Sequence, residues 1–154
     1  MKIEIEHDQI TLFLKKEEIE DFHFEDIEEV EEYFRTLFSK LEEYYQITIE
    51  GFYNISVFLD KAEGMILKLE KEDIDYYHFH QIEMRIVKED TVFLYQVEDI
   101  LDFLESDVDI YFYKNEFYIK NNNQKKVYNL YEFGKIIYEN TDIILKKGLL
   151  FTQE

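Results

Sequence analysis

"DVDIYFYKNEFYIK", residues 107–120, carries five aromatic rings between Tyr111 and Tyr118. Polar and apolar side chains alternate with a period of two, the spacing of a strand rather than a helix. With Asn115-Glu116 as a two-residue loop, Lys114 pairs with Phe117, Tyr113 with Tyr118, Phe112 with Ile119 and Tyr111 with Lys120. Parity then predicts a core-facing side made of Val108, Ile110, Phe112, Phe117 and Ile119. The other side carries Asp109, Tyr111, Tyr113, Tyr118 and Lys120. A tyrosine face suits protein docking, because each ring buries area while its hydroxyl stays wet. It equally suits a sheet face covered by the last helix, since large aromatic residues favour strands anyway. Both readings stay open.

Outward from this hairpin, the chain has no proline and only four glycines, so periodicity has to supply the punctuation. In "IEIEHDQITLFL" Ile3 and Ile5 alternate, then Ile10, Leu12 and Leu14, with His7-Asp8-Gln9 between them: a hairpin is predicted. The period then changes. Ile27, Val30, Phe34, Leu37, Leu41 and Tyr44 recur at helical spacing, with Asp26 and Glu29 as a capping pair and acids crowding the first turn. A second hairpin follows, Ile55, Val57 and Leu59 against Met65, Leu67 and Leu69, with Gly64 available for a positive φ.

Further on, strands are predicted at about 82–88 and 91–96, then a short helix on Val97, Ile100, Leu101 and Leu104. Beyond the 107–120 hairpin, Leu130, Phe133, Ile136 and Ile137 fit a helix capped by Asn129 and Glu132, and "TDIILKKGLLF" fits either helix or strand. No βαβ crossover pattern recurs. The expected class is α+β: two related small units of antiparallel sheet packed with helices, 1–75 and 76–154, joined near 71–81.

The charge is strongly negative, 17 basic against 36 acidic residues for a net −19, and residues 1–75 alone hold 8 basic against 22 acidic. Such a field repels nucleic-acid backbones and anionic membranes, so neither is expected as a partner; it attracts basic proteins. At 46% hydrophobic and 18% aromatic the chain still has the material for a folded core. Cysteine is absent, which removes disulfides, thiolate catalysis and cysteine-ligated zinc. No apolar run approaches the length of a membrane span, and "MKIEIEHD" lacks the pattern of a signal peptide, so the cytoplasm is the expected location.

Candidate chemistry is sparse. His78 and His80 in "HFH" would share one strand face, yet no third ligand is specified by spacing, and zinc usually takes three or four protein ligands. His7 and His23 look local in role. With 36 carboxylates, proximity of any two carries no specificity for acid–base catalysis, and the runs "KKEEIED" and "EDIEEVEEYF" fit solvated faces. Phosphate loops, nucleophile elbows, HExxH helices and EF-hand loops are all missing, so no cofactor and no enzymatic activity is expected.

Several segments taken in order resemble one family. "FLYQVEDILDFLES" is similar to a helix start of the form F-x-x-FEDxI, "IYFYKNEFYIK" to an S-L-Y-x-Y-x-x-x-Y-Y-L hairpin, and "LYEFGKII" to a closing E-Y-G-x-x-I helix. "MKIEIEHDQITLFL" and "IEGFYNISVFLDKAEGMILKL" are similar to its opening strands and its E-G-x-x-x-I-x-V…D-K-G-x-x-V hairpin. The family is MecA, adaptor proteins that deliver substrates to the ClpC unfoldase in low-GC Gram-positive bacteria. Val97 stands where an aromatic is common, and about ten residues replace the family's long acidic linker.

The resemblance implies a non-enzymatic adaptor whose first half holds a protein cargo, suited by its charge to a basic one. The second half would dock on a ClpC-type ATPase. Its implied contact residues are Glu98, Asp99, Asp102, Tyr111, Tyr113 and Tyr118. An acidic DNA mimic that inhibits a DNA-binding protein is the alternative, motivated by the charge.

Overall fold

The computed structural model describes residues 1–19, 25–72, 82–104, 107–122 and 134–151. Its class is α+β, with two five-stranded sheets and two α-helices among those residues. The chain divides into two compact units. One is Met1–Val57 with Gly64–Glu89; the other is Phe58–Glu63 with the described part of Asp90–Glu154. No helix among the described residues is long and apolar enough to cross a membrane.

In the first unit, β1 (Lys2–Glu6) and β2 (Gln9–Lys15) form the expected hairpin, with Ile3 opposite Leu12 and Ile5 opposite Ile10. β2 pairs in turn with β4 (Gly64–Lys71), which lies between β2 and β3 (Gly51–Asp60) in the sheet. Alternation places Ile10, Leu12, Leu14, Ile55, Val57, Met65, Leu67 and Leu69 in the core, as the sequence pattern requires.

α1 (Ile27–Tyr45) starts where the Asp26 carboxylate accepts a hydrogen bond from the Glu28 N–H at 3.0 Å, and it ends at Gln46 in the left-handed conformation. Its buried stripe is Val30, Phe34, Phe38 and Leu41. Leu37 sits half-buried at the margin and Tyr44 is exposed, which rotates the expected stripe toward Phe38. The spacing 30, 34, 38, 41 keeps closer to 3.6 residues per turn than a stripe through Leu37 and Tyr44. The expected Ile27 side chain lies outside the described residues.

β5 (Ile82–Asp90) pairs beside β3 and completes this first sheet, whose order is β1-β2-β4-β3-β5. The division expected near residue 75 therefore falls at 89/90 instead, and Phe58–Glu63 groups with the second unit. Most of the expected joint, and His78, His80 and His23, lie outside the described residues.

The second unit's sheet runs β10-β7-β8-β6-β9. Its strands are β6 (Leu94–Val97), β7 (Val108–Tyr113), β8 (Glu116–Asn121), β9 (Lys135–Ile137) and β10 (Leu149–Phe151), with α2 (Thr141–Lys147) before the last. Three expectations change here. The helix predicted on Val97, Ile100, Leu101 and Leu104 is a single 3₁₀ turn, Leu101–Phe103, held by the Asp99 carboxylate accepting from the Leu101 N–H at 2.9 Å. Phe103 and Val97 are buried while Leu101 and Leu104 face solvent. Ile136 and Ile137, expected on a helix, form β9, paired opposite Tyr95 and Leu94 of β6; Leu130 and Phe133 lie outside the described residues. The ambiguous tail resolves into both of its options, α2 and then β10.

Phe58–Glu63 anchors the start of β6. The Asp60 carboxylate accepts from the Phe93 N–H at 2.9 Å, and the Thr91 N–H donates to the Leu59 carbonyl at 2.9 Å. The Tyr95 hydroxyl donates to the Glu63 carboxylate at 2.9 Å, and both residues are buried. The core can carry that carboxylate because the phenol offsets part of its lost hydration.

Candidate functional site

The hairpin of β7 and β8 turns at Lys114 and Asn115, both left-handed with φ of 47° and 64°, the mark of a tight two-residue turn. Phe112 therefore faces Phe117, Tyr111 faces Tyr118 and Tyr113 faces Glu116. This register differs from the predicted one by two residues. A shift of two keeps every side chain on its face, so the parity sorting holds.

What changes is which face is covered. Tyr111 is buried in a cluster with Leu94 and Ile144 of α2, and Tyr113 and Tyr118 pack half-buried against the same cluster. Burial pushes the Tyr111 phenol above its usual range, helped by the Asp109 charge. The Tyr118 phenol is raised too, by burial first and then by Glu116 and Tyr113, against an opposing effect of Lys114. The Lys114 ammonium stands 5.3 Å from the centre of the Tyr113 ring. Tyr111 is thus core, and only the outer parts of Tyr113 and Tyr118 are reachable.

On the opposite face the expected core-facing pair, Phe112 and Phe117, is only half-buried. Their rings lie 5.0 Å apart, and Phe117 is 6.2 Å from Phe151 of β10, which is 41% exposed. The cross-strand row Leu149, Phe112, Phe117 and Val97 runs from the exposed edge to a buried end. Ile110, Ile119 and Tyr95 in the next row are buried. The face is core at its centre and an open apolar shelf toward β10.

Beside the buried end of that row lies a groove of about 620 Å³. Val97 and Phe103 supply its apolar lining, and Glu98, Asp99, Asp102 and Glu116 bring carboxylates, with Lys135 as the cation among its lining residues. Three of the six residues expected as contacts, Glu98, Asp99 and Asp102, are thus brought together in one place, and all three are exposed. Glu116 was missed by sequence reasoning. It joins the groove because Phe117, next to it, pairs with Val97, next to Glu98.

Four carboxylates against one ammonium make the groove a trap for a cation, while its lining offers apolar contact. Among the described residues no three His, Asp or Glu side chains converge on a point where they could hold a metal ion. No protein-family model matches the chain, and comparison with characterised proteins and with solved structures gives no match.

Proposed function

We propose that the chain is a cytoplasmic, non-enzymatic adaptor that binds proteins through its second unit, with the groove of Glu98, Asp99, Asp102 and Glu116 as the docking surface. The observation that carries this reading is the combination in one groove of an apolar lining with an acidic rim. A basic segment bearing a large apolar side chain fits it, its charges meeting the rim and its apolar group the Val97 and Phe103 surface. The MecA-like order of motifs supplies the candidate partner, a ClpC-type ATPase, and the first unit would carry the cargo.

Purified ClpC-type unfoldase should hydrolyse ATP faster when the chain is added. The combined substitution Glu98→Lys, Asp102→Lys and Glu116→Lys, which spares the Asp99 carboxylate that holds the 3₁₀ turn, should remove that stimulation while leaving the circular dichroism spectrum unchanged, since all three side chains are exposed. Stimulation that persists undiminished in the charge-reversed chain would sink the groove as the docking surface. No stimulation by the parent chain would sink the unfoldase as the partner.

A further inference from the structure

Sheet edges expose unpaired backbone groups, and proteins usually guard them with charge. Among the described residues, three of the four sheet edges follow the rule. β1 carries Lys2, Glu4 and Glu6, β5 carries Glu83, Arg85, Lys88 and Glu89, and β9 carries Lys135. β10 does not: Leu149, Leu150 and Phe151 are its whole length, and they are 62%, 43% and 41% exposed.

We infer that β10 is a self-association edge, pairing antiparallel with β10 of a second copy about a two-fold axis at Leu150. The sequence of the strand is self-complementary in that arrangement. Leu150 meets Leu150 at the axis, and Leu149 meets the partner's Phe151 twice, an aliphatic–aromatic pair on the face already holding Phe112 and Phe117. Charge along the edge agrees. Lys146 and Lys147 close α2 just before β10, and Lys114 sits at the hairpin tip on the same end. At the other end, where Phe151 pairs with Ile110, lie Asp107 and Asp109, with Lys120 opposite Asp109. Glu116 is the acid beside the three lysines at the hairpin tip, so the two ends keep opposite net signs. A two-fold reversal brings the lysine end of one copy to the aspartate end of the other.

Three paired residues bury far less than the roughly 800 Å² per partner of a stable interface, so the dimer is weak and concentration-dependent. The net charge of −19 on each copy also opposes it, and about 0.15 M salt, with a Debye length of about 8 Å, reduces that repulsion.

Because the chain has no cysteine, a single introduced thiol reports on the axis. Directly opposed residues in an antiparallel pair have Cα atoms about 4.5–5.5 Å apart, inside the window a disulfide needs. Under mild oxidation at high protein concentration, Leu150→Cys should cross-link to a dimer severalfold faster than Ile143→Cys on the exposed side of α2 or Leu149→Cys, which faces Phe151. In sedimentation, the unmodified chain should gain mass with concentration, and Leu150→Lys should stay monomeric. Equal cross-linking of the three thiols would overturn the two-fold register. A parent chain that remains monomeric at every concentration would overturn the dimer itself.

Discussion

Replacing Tyr111 by alanine separates the two roles a tyrosine on this hairpin can have. Tyr111 is 9% exposed and packs with Leu94 and Ile144. A tyrosine buries roughly 150–250 Å², most of it ring, and at about 25 cal/mol per Å² the truncated atoms account for about 3–5 kcal/mol. The same range, about 3–5 kcal/mol, is usual for cutting a buried aromatic back to alanine. Total stabilities run at about 5–15 kcal/mol, so the second unit of Tyr111→Ala should be close to its limit.

In urea, with a slope of about 2 kcal/mol per molar, a loss of about 4 kcal/mol moves the midpoint down by about 2 M. Amide signals of β7 and β8 read that transition in the second unit alone. Tyr113→Ala, which removes a half-buried ring, should cost about half as much. Tyr111→Phe keeps the ring and should cost no more than about 1 kcal/mol. If Tyr111→Ala unfolded at the parent's midpoint yet lost all binding to a partner, the assignment of Tyr111 to the core would be wrong. Any pull-down that uses this substitution to map docking has to be read beside its unfolding curve.

Two other consequences follow from local geometry. Gly64 has φ of +144° and a Cβ there would overlap the Leu14 carbonyl oxygen, whereas Gly51, at φ of +101°, would bring its Cβ only to the flexible end of Lys71 at 3.2 Å. Backbone strain of about 1–3 kcal/mol applies to both, but only Gly64→Ala must also push β4 away from β2, so its urea midpoint should fall clearly below that of Gly51→Ala. Equal midpoints would refute the overlap. Burial raises the phenols of Tyr33, Tyr53, Tyr111 and Tyr118, each helped by a nearby carboxylate: Glu18, Asp8 with Glu50, Asp109 and Glu116. A folded value above the unfolded one gives stability that is intact below about pH 10 and lost as pH rises past it, because the unfolded chain ionises first. The urea midpoint should therefore drop between about pH 9 and pH 11, and a flat profile would contradict the raised phenols.

How much of this was legible beforehand depends on the range of the interaction involved. Alternation in 107–120 fixed the two faces of the hairpin, because facing is a property of adjacent residues and survives a slip of two. The turn itself was misplaced. Lys114 takes the left-handed position that Asn or Gly normally marks, so Asn115-Glu116 looked the better loop. The membership of β5 had no local signature, since a strand does not record which sheet it will join. Ile136 and Ile137 fitted a helical spacing only because a three-residue strand is too short to show alternation.

The same distinction explains the candidate site. Glu98, Asp99 and Asp102 lie within five positions of one another, so their clustering was readable, while Glu116 reaches them only through the pairing of Val97 with Phe117. The choice between core and docking for the tyrosines was the least readable of all. It turns on α2, a seven-residue helix whose Ile144 joins the Tyr111 cluster, and two turns are too few for a periodic signal. Once α2 is seen to cover the tyrosines, the surplus apolar surface of the unit has to emerge elsewhere. It does so along the opposite face, from Phe112 and Phe117 to the unguarded strand β10, which makes the phenylalanines rather than Tyr111 the aromatic residues open to a partner.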